Sequence, residues 1–173
     1  KGNEFFDEGY CLFLNTKNVL KNGFKFDVTM FITKEKDELL RKGKLKRFDV
    51  VLTTRGTIGN VGYYSDEVSF ENIRINSGML IFRILNSGFT SEYLFHLLQS
   101  EYVQKRFKDI ASGSAQPQLP IRSLNTIKIP LPPISIQKEI VLQIEAEQSM
   151  VNANKKLIEI YEQKVKDKIG EVW

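Results

Sequence analysis

The chain has 173 residues, of which 42% are hydrophobic and 27% charged. That balance excludes a disordered tail, a collagen-like repeat and a disulfide scaffold, and a chain of this length can bury about 70% of its unfolded surface around one core. Lysine and arginine number 25 against 21 aspartates and glutamates, a net charge of +4 that permits a polyanionic partner without requiring one. No run approaches ~18 consecutive apolar residues, so no membrane span is expected. The chain opens on Lys1-Gly2-Asn3 without a signal-peptide pattern, and it reads as a piece of something longer. Cys11 is the one cysteine, so a reducing, cytoplasmic setting fits best, and its apolar neighbours make it a small core hydrophobe.

The first 90 residues read as short strands joined by turns. Tyr10–Leu14 is apolar, and the Asn22-Gly23 turn is followed by alternating Phe24 and Phe26. Between Lys34 and Arg47 lie seven basic and three acidic residues, a local excess equal to that of the whole chain. Such clustering suits phosphate contact as well as a solvated turn. Phe48–Thr54 is β-branched and apolar, as a buried strand requires, and Met79–Leu85 is a second such run. Between them, the glycines of Arg55-Gly56-Thr57-Ile58-Gly59 fit neither dinucleotide nor P-loop spacing, and Val61–Tyr64 reads as a strand. A bulged turn with Arg55 at its lip explains them.

A helical pattern covers Ser91–Ala111. Leu94, Leu97 and Leu98 share one face, while Val103, Phe107 and Ile110 share nearly the opposite one, so a break is expected near Ser100. Ser112–Pro120 is rich in turn residues, and Ile127–Pro133 must be extended because each proline pushes its predecessor out of the helical region. With Ser135 as N-cap, Ile136–Ile169 predicts a helix of 34 residues, about 50 Å long. Ile144, Val151, Ile158, Val165 and Val172 recur every seven residues along it, a stripe that needs a partner helix. The composition changes at Pro133, dividing the chain into a globular domain, 1–133, and a spacer or dimerisation helix, 134–173.

Catalytic patterns are missing. His96 stands alone among leucines, which fits a helix residue better than a zinc ligand or a triad member. Glu162-Gln163-Lys164 matches a nuclease element in letters but sits on the long helix without a preceding strand. Leu131-Pro132-Pro133-Ile134 lacks the leading polar residue and trailing aromatic of an adenine-methyltransferase loop. The chain therefore reads as a non-enzyme that needs no metal or cofactor.

Several stretches resemble a known family. Ser112-Gly113-Ser114 with Gln116 and Gln118, then Ile129-Pro130-Leu131-Pro132-Pro133, Gln137 and Ile140, look like the end of a target recognition domain of the specificity subunit of type I restriction–modification systems. Leu14–Val19 and Asp49–Gly56 resemble it too. The resemblance implies a mixed α/β (α+β) recognition domain followed by a long helix. It also implies double-stranded DNA, methyltransferase (modification) subunits, and a second recognition domain or a second copy through the helix as partners, with no membrane. Related domains occur in fused type II enzymes, so the parent stays open, as does a helix-driven assembly module without DNA specificity. The family does not fix the base-reading residues. On chemistry alone the candidates are Lys17, Asn18 and Lys21 before the Asn22-Gly23 turn, Arg55 at the glycine turn, Arg74 between Asn72 and Asn76, and Gln116 and Gln118 in the Ser/Gly loop.

Overall fold

In the computed structural model, residues 5–113 and 117–171 are described. The first apolar run forms β1 (Cys11–Leu14), and a single 3-10 turn, Thr16–Asn18, leads into the hairpin of β2 (Val19–Leu20) and β3 (Gly23–Phe24). Then come β4 (Phe31–Ile32), α1 (Lys34–Leu39), β5 (Val50–Thr53), β6 (Val61–Tyr63), β7 (Ile73–Ile75) and β8 (Met79–Phe82). The chain closes with α2 (Ser91–Gln99), α3 (Glu101–Ile110), α4 (Ile121–Leu124) and α5 (Ile134–Gly170).

Two three-stranded sheets, ordered β4-β1-β7 and β6-β5-β8, sit beside the small β2-β3 hairpin. β1 runs antiparallel to β4 and parallel to β7, whereas β5 is antiparallel to both of its neighbours. The strand predicted from Phe48–Thr54 is β5, and all four of its residues are buried. Successive side chains of a strand point to opposite faces. Val50 and Leu52 therefore enter one core, with α2, α3 and Leu119, while Val51 enters the other, with Leu12, Leu14 and Ile73. β5 is the wall between two cores, which is why its sequence is continuously apolar rather than alternating.

The expected break falls at Ser100, which ends α2 and caps α3 through its hydroxyl, with extended backbone (φ −60°, ψ 148°). The opposed leucine and Val103/Phe107 faces both reach the first core once the axis turns there. The second apolar run stops being strand at Phe82, short of Leu85. Cys11 is fully buried, and its thiol is pushed up to about 12, first by burial and then by the nearby Asp37.

The long helix starts earlier than Ser135 suggests. Its N-cap is Pro133, which offers no side-chain bond. Gln137 supplies the fastening instead. Fully buried, it donates to the carbonyls of Gly88 (2.9 Å) and Pro132 (2.8 Å) and accepts from the Thr90 amide (3.0 Å), tying α5 to the start of α2. Val141 is the other buried residue of this helix. Beyond it, Val151, Ile158 and Val165 are about half exposed, so the heptad stripe lies uncovered, with Val172 outside the described residues. Among the described residues, no helix is long and apolar enough to cross a membrane.

Candidate nucleic-acid interface

Four loops meet at the ends of the strands. After β1, the Asn15 side chain accepts from the Lys17 amide (2.8 Å) while Asn18 Oδ1 accepts from the Asn15 amide (3.1 Å), a reciprocal cap that turns Lys17 outward. After β5, Thr53 Oγ1 donates to the Thr57 carbonyl (2.5 Å) and accepts from the Asn60 amide (2.9 Å), closing the glycine turn. Gly56 and Gly59 take positive φ there (73° and 86°), which a side chain would strain. Gln104 of α3 holds the turn from behind, donating to the Gly59 carbonyl at 2.8 Å.

Main-chain bonds then join the loops to one another. The Thr54 and Arg55 amides both donate to the Gly78 carbonyl, at 2.8 and 3.2 Å. Leu119 donates to the Thr54 carbonyl at 2.9 Å, and Gln118 exchanges bonds with Ser112 at 2.9 and 3.0 Å. Gln118 thereby bridges Arg55 on one side and Ser112 on the other. Packing is close enough that a Cβ at Gly78 would stand 3.1 Å from the Thr16 methyl. The segments 15–17, 54–57, 76–78 and 112–118 contain no aspartate or glutamate.

Lys17, Arg55 and Gln118 are exposed on this surface, and among the described residues their side chains have no hydrogen-bond or ion-pair partner. Lys21 is also exposed but sits apart on the hairpin, where its carbonyl accepts from Gln99 of α2 at 3.1 Å. Gln116 lies outside the described residues.

Similarity to known proteins places the chain in a family. Residues 1–160 match the family described as the type I restriction modification DNA specificity domain. The chain belongs to that family. Two curated relatives from Methanocaldococcus jannaschii are similar to this specificity domain. It is 29% identical to the type I restriction enzyme MjaIX specificity subunit over 65% of its length and 31% identical to the MjaVIII specificity subunit over 72%. The domain spans only 25% and 30% of those two proteins. Among solved structures, it resembles the HsdS subunit from Thermoanaerobacter tengcongensis (TM-score 0.64, 17% identity, 85% of this chain and 38% of that one). It is also similar to a chain from a study of complex assembly and conformational transition of the type I R-M system, with a TM-score of 0.65 over 90% of this chain and 35% of that one, again at 17% identity. At that identity the likeness concerns the fold.

Within the specificity domain, two candidates prove to be scaffold. Arg74 is 4% exposed and forms an ion pair with Asp37 through Nε, while its other nitrogens donate to the carbonyls of Lys42 (2.7 Å) and Asp37 (2.6 Å). Asn18 is 2% exposed and donates to the Lys25 and Val28 carbonyls at 3.1 and 2.7 Å, shaping the loop behind β3. Neither side chain can reach a base edge. Sequence reasoning placed both by residue type, and burial is what removes them.

The dense basic run is consumed in part, while Arg41, Lys42 and Lys46 stay exposed with no side-chain partner among the described residues. Lys44 joins Arg74 on Asp37, and Arg47 donates to the Ser65 and Val68 carbonyls (2.7 and 2.8 Å) while stacking 4.2 Å from the Tyr64 ring centre. Burial alone would raise the Asp37 carboxyl. The hydrogen bonds from Lys44 and Arg74 and the Arg74 charge outweigh it and hold the group below the ordinary carboxylate range. Sequence reading missed several polar side chains of the loop surface. Thr16, Thr57, Asn76, Ser77 and Ser112 complete the four-loop surface, and the Asn76-Ser77-Gly78 turn was the one local sign of them.

Proposed function

We propose that the chain recognises one half of a bipartite double-stranded DNA target, as the non-catalytic reading unit of a type I restriction–modification specificity subunit. The observation that carries this reading is the convergence of four acid-free loops presenting unpartnered Lys17, Arg55 and Gln118. Phosphates attract lysine and arginine, and base edges are read by bidentate arginine, asparagine or glutamine. Arg55 at the lip of a braced turn is the prime base reader. Lys17 contacts phosphate, Gln118 and Gln116 read bases or order the loop between them, and Lys21 reaches backbone to one side.

In this reading residues 1–133 recognise DNA, while 134–173 pair with the helix of a second recognition unit, in the same polypeptide or a second copy, and dock methyltransferase subunits. The uncovered stripe Val151, Ile158 and Val165 supports the pairing. The test is selection of a randomised duplex library by the purified chain at moderate salt. Enrichment of one short motif, lost on Arg55→Ala, is the expected result. Salt-insensitive or undetectable binding would favour assembly through α5 as the chain's main activity.

A further inference from the structure

A second surface carries the opposite chemistry. Between the β2–β3 hairpin, the segment after β6 and the start of α2 lies a groove of about 700 Å³ that α5 borders through Glu145. Its wall is a row of rings. Phe48 stands 6.4 Å from Tyr63, which stands 5.8 Å from Phe95. Phe48 is 47% exposed and takes φ +70°, the one described residue besides glycine with a left-handed backbone. That conformation is costly for a bulky side chain, and here it holds a phenyl ring against solvent.

Around the rings stand Asp66, Glu67, Glu92 and Glu145, and among the described residues no lysine or arginine lines the groove. Glu92 accepts from the Tyr63 hydroxyl at 2.6 Å, and Asp66 has Arg47 only at 4.0 Å. Glu67 and Glu145 have no ion-pair partner among the described residues. Lys155 and Lys156 line the neighbouring hollow, which shares Glu67, Phe95, His96 and Glu145 with the groove. In a chain of net charge +4, a groove lined by four carboxylates, with Arg47 beside Asp66 as its nearest arginine, concentrates negative potential where a phosphate backbone would be repelled. Aromatic faces beside carboxylates favour a guanidinium or ammonium group, since the rings attract cations and the acids complete the charge.

We propose that this groove docks an extended basic segment of a protein partner, with an arginine or lysine side chain lying against Phe48, Tyr63 and Phe95 between Glu67 and Glu145. The inference goes beyond DNA reading and does not depend on it, so duplex binding measured in parallel separates the two. The probe is a short capped peptide of alternating arginine and lysine, titrated into the whole chain carrying 13C-labelled phenylalanine and tyrosine. Ring signals of Phe48, Tyr63 and Phe95 should shift, with affinity falling as salt rises. The double variant Glu67→Gln/Glu145→Gln should bind about five- to tenfold more weakly. Phe48→Gly, which suits the left-handed backbone, should fold and bind about fivefold more weakly. Both variants should retain duplex binding.

Unshifted rings, or an acid-free variant that binds the peptide equally well, would overturn the proposal. Tighter binding of spermidine than of the peptide would assign the groove to a small polyamine instead. Self-association without peptide, abolished by the double variant, would assign it to a second copy of the chain. Competition by duplex DNA would place the groove on the DNA face and overturn it equally.

Discussion

Two cationic regions of this chain differ in how many of their charges the fold pairs internally. In the run from Lys34 to Arg47, Lys44 is tied to Asp37 and Arg47 is spent on two carbonyls and a tyrosine ring, which leaves Arg41, Lys42 and Lys46 exposed without a side-chain partner among the described residues. The four-loop surface has only Lys17 and Arg55, yet both stand free in an acid-free setting. A cation reaches a ligand when the fold brings it no internal acceptor, so local charge density is a poor guide to the surface field.

Removing the buried arginine is the strongest way to test that contrast. Arg74→Ala leaves Asp37 inside the protein with Lys44 as its remaining cation and strips the partner from the Lys42 carbonyl, which should cost about 3 kcal/mol in urea unfolding. If that variant instead folded normally and lost DNA, the distinction drawn between the two regions would fail. Gln137→Leu strips partners from the Thr90 amide and the Gly88 and Pro132 carbonyls, with an expected loss of about 2–3 kcal/mol in thermal unfolding and faster amide exchange at the start of α5.

On the exposed side the effects are smaller and selective. Arg55→Ala should cost ~1–3 kcal/mol against the selected site and little against other duplexes, whereas Lys17→Ala should weaken all DNA alike and reduce the salt slope by about one. An equal loss on both kinds of DNA for Arg55 would make it a phosphate contact.

Two titratable groups make stability depend on pH. Burial, opposed by Glu145 and Glu92, lowers the His96 imidazole, and Asp37 is lowered by its cations. A group with a depressed folded value is stabilising above its unfolded value and loses that contribution as pH falls through the folded one. Stability measured by urea midpoints should therefore decline first below pH ~6.5 as the imidazole is forced to charge, and again below pH ~4 as Asp37 is protonated. Arg74→Ala should shrink the second step, leaving the part that Lys44 supplies.

Elements defined by local pattern were legible beforehand. Continuous apolar character marked β5, opposed helix faces marked the break at Ser100, and the absence of proline and glycine marked α5. The helix start was misread because Ser135 is a good capping residue type, while the bonds that fix the junction come from Gln137 and reach Gly88 and Thr90. Arg74 and Asn18 were misread for the same reason, since their partners Asp37, Lys42 and Val28 are chosen by tertiary packing. Arg55, Lys17 and Gln118 could be picked out by residue type and turn chemistry, but their assembly on one surface depends on main-chain bonds no local pattern encodes.

Those main-chain bonds have an evolutionary consequence. Thr54 and Arg55 to Gly78, Leu119 to Thr54, and Ser112 with Gln118 are joined through amides and carbonyls that any residue but proline can supply. The side chains projecting from these loops can therefore be exchanged while the frame beneath them persists. On the proposed DNA-reading role, a new target would be acquired by a handful of substitutions at positions such as 17, 55, 57, 77 and 118, each close to neutral for folding.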